Sequence, residues 1–357
     1  MMPKKLLKFV ICGVGLLMIG GCIDTINVDL PDEPAGRLVV DGVVERSPDI
    51  YRFFVRISST GSLNIDLVDN RESADVELIY NGQSIFNLIN GVEDTIGVGR
   101  FHQLYGGSVE DALFNIRVTA RDNAVFESQA QRVLDGPEGS TLQLAYEERP
   151  QLNELENLVV GKFVKVQVKT PVVNARGERV SMRWDISGVY RFPEVAWTDN
   201  PFFFPKTCYV YDFDVVNQVN VLKSSTINGD FVEGFEVGEI EADHRFASGY
   251  YITAIQKSIS EPAANYWDQV RQSIEREGTI FDAPVGAVNS NIMQTGGTPV
   301  EVLGYFYTAG IDTLRHLSNR EETGNQLHLC AFQTVSEACC DCLILVNSTL
   351  DKPTFWK

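Results

Sequence analysis

A chain of 357 residues, 44% hydrophobic and 22% charged, is ordinary globular material with enough length for two cores. Its 48 acidic against 30 basic side chains leave a formal charge of −18, which excludes nucleic acid as a partner, because too few cations remain to neutralise a phosphate backbone. The same surface repels anionic lipid headgroups, so attachment to a membrane has to come from something other than charge.

The N-terminus supplies that something. Lys4, Lys5 and Lys8 precede an apolar run from Phe9 to Ile19, and Ile19-Gly20-Gly21-Cys22 has the lipobox order of a branched apolar residue, two small residues and cysteine. The apolar run is shorter than the roughly 20 residues that span a bilayer, so it reads as a lipoprotein signal peptide over residues 1–21 and not as a membrane helix. Small residues at 20 and 21 let extended backbone enter a signal peptidase, and the Cys22 thiol is the expected site of lipidation. Two or three acyl chains of the palmitate type on Cys22 hold firmly where one would be marginal. Residues 22–36 then form a tether, and removal of three lysines makes the mature chain more acidic still.

From residue 37 short strands recur: Leu38 to Val44, Tyr51 to Ile57, Val76 to Tyr80, Ser84 to Ile89, Leu113 to Ala120 and Ala124 to Val133. Asn81-Gly82 is the strongest short hairpin signal, since both residues tolerate positive φ. Arg121-Asp122-Asn123 closes a second hairpin. This density of strands predicts an immunoglobulin-like β-sandwich over residues 37–135. The breakers Asp135-Gly136-Pro137-Glu138-Gly139-Ser140 mark its end. Residues 141–357 read as a larger β-rich domain, with strands at Val159 to Thr170, Val180 to Ile186, Cys208 to Val216, His244 to Ile255 and Val300 to Tyr307. Arg176-Gly177-Glu178 turns between the first two. One amphipathic helix is expected near 262–277: Glu261-Pro262 starts it, Tyr266, Trp267, Val270 and Ile274 recur at helical spacing, and Gly278 ends it. The fold class is therefore mainly β.

Cys12 leaves with the signal, so Cys208, Cys330, Cys339, Cys340 and Cys342 remain beside the lipidated Cys22. Cys339 and Cys342 have the spacing of a zinc knuckle but no second pair at matching distance, and in an exported chain disulfides are the expected fate. Five is odd, so one thiol stays free or pairs with another molecule.

Catalytic signatures are wanting: the four histidines sit in no H-E-x-x-H, and there is neither G-x-S-x-G nor a phosphate-cradling glycine loop. Asp243-His244 is a poor acid–base pair, because neighbours on a strand point to opposite faces. No enzymatic activity, cofactor or metal is expected. Tyr190 to Pro205 crowds Trp197, Phe202, Phe203 and Phe204 between prolines; such a loop either folds onto its own domain or offers an aromatic face to a partner. The acidic run Asp230 to Asp243 reads as a solvated hairpin face sooner than a calcium loop.

Several words, taken in order, resemble the Bacteroidota lipoproteins grouped as domain of unknown function 4249. They are Leu38-Val39-Val40-Asp41-Gly42-Val43-Val44, Ala74-Asp75-Val76-Glu77-Leu78, Tyr266-Trp267, Gly278-Thr279-Ile280-Phe281-Asp282-Ala283-Pro284 and Asn291-Ile292. Val302-Leu303-Gly304-Tyr305-Phe306, Cys339-x-Asp341-Cys342 and Lys352-Pro353-x-Phe355-Trp356 complete the series. Against the family's C-x-D-C ending Cys340 is extra, so the resemblance makes Cys340 the free thiol and leaves Cys208, Cys330, Cys339 and Cys342 for two disulfides of open connectivity. Members are commonly encoded beside TonB-dependent outer-membrane transporters. The resemblance thus implies an outer-membrane lipoprotein acting as an accessory or substrate-capturing subunit of such a transporter. An envelope scaffold or adhesin is the alternative, and a glycan or peptide hydrolase a more distant one. Ile23 in place of an aspartate leaves out an inner-membrane retention signal, and Asp24, Asp29, Asp32 and Glu33 partly match the acids that follow the cysteine in surface lipoproteins of this group, so the cell surface is expected over the periplasmic face.

Overall fold

The computed structural model describes residues 36–60, 74–153, 155–195, 204–213, 215–216, 218–275, 288–296, 300–331 and 336–357. The expected signal peptide, Cys22 and the expected tether up to residue 35 lie outside them. The N-terminal part contributes β1 (Leu38–Arg46), β2 (Ile50–Ser59), β3 (Asp75–Tyr80), β4 (Gln83–Leu88), β5 (Glu93–Gly97), helix α1 (Val98–Tyr105), β6 (Leu113–Thr119), β7 (Val125–Ser128) and β8 (Gln131–Arg132). There follow β9 (Thr141–Leu152), β10 (Leu158–Pro171), β11 (Ser181–Pro193), β12 (Thr207–Asp212), β13 (Asn220–Leu222), β14 (Phe231–Glu241) and β15 (Tyr250–Ile259). Helix α2 (Glu261–Ile274), β16 (Ile292–Gln294), β17 (Phe306–Leu317) and β18 (Ser348–Thr349) complete the chain.

Period-two burial drives these strands. In β2, Tyr51, Phe53, Val55 and Ile57 are buried while Arg52 and Arg56 face solvent; in β6, Phe114, Ile116 and Val118 play the same part. Full burial of such side chains contributes roughly 1.5–3 kcal/mol each. Asn81 and Gly82 both adopt positive φ, 47° and 82°, so the β3–β4 turn has the twist that a tight hairpin needs.

Three sheets result. A nine-stranded sheet runs β18-β12-β11-β15-β17-β1-β2-β5, with β13 also paired to β11. A six-stranded sheet runs β16-β7-β6-β3-β4 with β8 on β6, and a three-stranded sheet runs β14-β10-β9. Both small sheets pack on one face of the large one. The first core joins Val40, Val44, Phe53 and Val55 to Leu78, Phe101, Phe114 and Ile116. The second joins Val164, Val166 and Val168 to Met182, Trp184, Ile252 and Ala254. On the opposite face α2 covers Tyr305, Tyr307 and Ala309, and Phe355 with Trp356 covers Val189, Tyr209 and Tyr251. No helix among the described residues is long and apolar enough to cross a membrane.

The sandwich expected over 37–135 is present, but residues from the far end of the chain complete it. β1 pairs in parallel with β17, Gly42 opposite Phe306, and β16 extends the facing sheet beside β7. Ile292, Val302 and Phe306 enter its core. Residues 136–140 therefore mark a passage between the two small sheets, while the large sheet continues across them. Likewise Gly177, at φ 77°, makes the expected turn, yet β10 and β11 belong to different sheets; their link includes the Val180 N–H donating to Val172 O (2.9 Å), the bridge beside it and the Asn174 N–H donating to Glu178 O (3.0 Å).

Two strand starts and one helix face differ from expectation. The strand foreseen over 300–307 starts instead at Phe306, because Gly304 turns at φ 87° with its α-carbon against the Val40 carbonyl, a place with no room for a side chain. His244–Phe246 form a 3₁₀ turn capped by the Asp243 carboxylate, which accepts from Arg245 N–H, so β15 begins only at Tyr250. Helix α2 is capped by the Ser260 hydroxyl with Pro262 in its first turn, as the sequence suggests. Its buried face, however, is Ala263, Ala264 and Asp268; Tyr266 and Trp267 are half-buried, and Ile274 is 61% exposed. Small alanines let the helix approach the sheet closely, which rotates the large aromatics to the edges of the contact. Gly278 lies outside the described residues.

Candidate docking surface

The cysteines and the base of the aromatic loop come together at one end of the large sheet. Cys208 on β12 is bonded to Cys342, and Cys330 to Cys339; Cys340 is free and exposed. All four bonded cysteines are buried in the second core. Trp197, Phe202 and Phe203 lie outside the described residues. Phe204 is described, and it is 79% exposed. Tyr190 and Phe192, at the other end of the same stretch, are buried within β11.

Glu194 clamps the two ends of the loop, and sequence reasoning missed it. Its carboxylate is almost fully buried, yet one oxygen accepts from Lys206 N–H (2.7 Å) and the other from Cys342 N–H (2.9 Å), with the Lys206 ammonium 3.3 Å away. Burial of a carboxylate is tolerable because both oxygens are satisfied. The backbone adds Glu194 N–H to Lys206 O (2.9 Å) and Val195 N–H to Cys339 O (3.0 Å). Lys206 reaches on to Asp341 (2.9 Å), and that hydrogen bond holds the Asp341 carboxyl below its usual range. The two described ends of the stretch thus meet at a neck fixed by a carboxylate, a lysine and two disulfides. Around it Val195, Leu343, Ile344 and Val346 are exposed. Exposed apolar side chains gathered at one place suit an interaction surface. The sequence signal that could have revealed the neck is the Pro193-Glu194 step before the aromatics, but its partners lie 12 and 148 residues away.

The register places this neck far from the start of the described chain. β1 begins at the end of the sheet where β17 also begins, whereas Tyr251 pairs with Leu317 at the other end and Cys208 pairs with Phe192 beyond it. The separation along the strands is on the order of 50–60 Å at about 3.3 Å per residue.

A chain of ion pairs crosses the outer face of the large sheet. Arg183 meets Asp185 (3.0 Å), Asp185 meets Lys257 (2.7 Å), Lys257 meets Glu45 (2.6 Å), and Glu45 meets Arg52 (3.3 Å). Burial pushes the Asp185 carboxyl up, but Arg183 and Lys257 outweigh it and hold the group below its usual range. Arg183 also lies over the Trp267 ring at 3.9 Å. The expected solvated face of the acidic run is realised on β14, where Glu233, Glu236 and Glu239 meet Lys169, Lys165 and Arg149 of the neighbouring strands. Asp243 is engaged with Arg245 and forms no acid–base pair with His244. Among the described residues no group of three or more His, Cys, Asp or Glu could hold a metal ion.

These features define a disulfide-bonded, mainly β protein with a locked loop neck. The family model described as Domain of unknown function (DUF4249) matches residues 23–315, and the chain belongs to that family. The match takes in Cys208 but ends before Cys330, so Cys330, Cys339, Cys340, Cys342 and the final Lys352-Pro353-x-Phe355-Trp356 lie beyond the matched residues. No curated protein and no solved structure matches the chain.

Proposed function

We propose that this protein is a lipid-anchored outer-membrane lipoprotein, held at the cell surface through Cys22, that serves as an accessory or substrate-capturing subunit of a TonB-dependent transporter. The observation that carries the docking part is the neck at Glu194 and Lys206, which ties together the two described ends of the aromatic stretch beside exposed Phe204, Leu343, Ile344 and Val346. Interfaces draw their energy from such apolar and aromatic anchors, and a pre-formed neck lowers the ordering cost of binding. The lipobox at Cys22 and the two disulfides both favour an oxidising, extracytoplasmic location. The distance between the start of the described chain and the neck suits a subunit that reaches from its anchor to a partner's mouth.

Two measurements test the proposal. Cys22→Ala should abolish labelling by radioactive palmitate, and continued labelling would remove the lipid anchor. Affinity capture of the full-length protein in mild detergent, followed by mass spectrometry, should recover a TonB-dependent transporter, and Phe204→Ser should reduce that recovery without changing the melting temperature. Capture of other envelope components with no transporter would favour the scaffold reading.

A further inference from the structure

A second site lies next to the neck, in a cavity of about 540 Å³ lined by Lys162, His244, Asn325, Gln326, Leu327, His328 and Leu329. Two of the chain's four histidines and a lysine meet there, in a protein whose formal charge is −18. The volume is within the range of small-molecule pockets.

The histidine at 328 defines what the cavity accepts. The Cys330 backbone N–H donates to His328 Nδ1 (3.2 Å), and a backbone N–H can only donate, so Nδ1 carries the lone pair. The neutral ring therefore has its hydrogen on Nε2. That Nε2 is buried and has no hydrogen-bond partner in the protein. A buried donor left unmatched is unfavourable, and a ligand acceptor would relieve it. Protonating the ring would set a second N–H against Cys330, and burial together with His244 pushes the His328 pKa down, so the ring stays a neutral donor. A metal would need the Nε2 lone pair and is disfavoured for the same reason. The Phe192 ring, 4.7 Å away, and the Cys330–Cys339 disulfide two residues on fix the imidazole in place.

The remaining groups supply positive charge and further donors. Lys162 has no ion-pair partner among the described residues. Glu148, its cross-strand neighbour, accepts instead from the Tyr146 hydroxyl (2.6 Å). Asp243 pairs with Arg245, and Glu322 with His316 (3.0 Å). The His244 ring packs edge-on against Tyr190 and makes no side-chain hydrogen bond. Leu327 and Leu329 add an apolar wall.

We propose that this cavity binds a small organic anion through a carboxylate or phosphate group, with His328 Nε2–H and the Lys162 ammonium as its principal donors and His244 as a third. The site is argued from its own side chains and does not depend on docking to a transporter.

Titration calorimetry of the full mature protein with inorganic phosphate and, separately, succinate tests it. At least one probe should bind saturably at micromolar to millimolar concentration, and which one binds tells a phosphate source from a carboxylate source. Lys162→Gln, an exposed substitution that leaves the core untouched, should weaken binding about tenfold, as expected for loss of one charge-assisted hydrogen bond. His328→Asn should weaken it at least as much while the disulfide remains formed, and Lys352→Gln, outside the cavity, should have no effect. Failure of both probes to saturate, binding that ignores Lys162→Gln and His328→Asn alike, or stoichiometric zinc binding lost in His328→Asn would each overturn the proposal.

Discussion

The two disulfides close loops of very different length, and that difference can be measured as stability. Cys208 and Cys342 are 134 residues apart, Cys330 and Cys339 only 9. If a cross-link acts by removing conformations from the unfolded chain, the long loop contributes about 5 kcal/mol and the short one about 2.6 kcal/mol. The experiment needs alanine in place of each cysteine, because all four sulfurs are buried and a serine hydroxyl would add a desolvation cost of its own. It also needs Cys340→Ala throughout, since an adjacent free thiol can exchange with the remaining bond. Urea unfolding under non-reducing conditions should then show Cys208→Ala/Cys342→Ala less stable than Cys330→Ala/Cys339→Ala by roughly 2 kcal/mol. With about 2.1 cal/mol/K of unfolding entropy per residue, a chain of this size shifts by about 1.4 °C per kcal/mol, so their melting temperatures should differ by roughly 3 °C. Equal losses, or a greater loss from opening the short loop, would refute the loop-entropy reasoning and point to native packing around Cys330 as the larger contribution.

Alkylation of the folded, unreduced protein should label one cysteine, Cys340, by mass spectrometry; labelling at Cys208 or Cys342 would contradict the pairing. Glu194→Gln should cost roughly 1–3 kcal/mol in chemical denaturation, because its two oxygens accept from two different backbone N–H groups and an amide must turn its NH₂ toward one of them. Gly304→Ala should cost roughly 2–4 kcal/mol, since the site combines a φ of 87° with contact against the Val40 carbonyl; an unchanged melting temperature would refute that geometry. Asp185 (against burial, through Arg183 and Lys257), Glu261 and Asp268 have carboxyls held below their usual values of 3.8 to 4.5 in the folded protein. The unfolded chain therefore binds protons first, so their stabilisation is present above pH 4.5 and is lost as pH falls below about 4 toward the folded values. Asp185→Asn should flatten that acid limb of the melting-temperature profile, and a profile unchanged by it would count against the ion-pair chain.

What the sequence determined by itself is local. Alternation at Tyr51, Phe53, Val55 and Ile57 specifies a strand because successive side chains point to opposite faces, and Asn81-Gly82 specifies a tight hairpin because both residues accept positive φ. Ser260 and Pro262 mark the start of α2 for equally local reasons. Even so, the face that α2 buries was not readable, since two alanines and an aspartate are selected by the shape of the sheet beneath them. Tertiary structure alone decided that β1 pairs with β17, some 260 residues later, and so joined the expected sandwich to the rest of the chain. It also chose one of the three pairings open to four cysteines, and brought Glu194 to Cys342 and His244 to His328. Such contacts depend on packing across three sheets. The energy of a non-local pair depends on what faces it in space, and the order of residues along the chain carries no local signal for that.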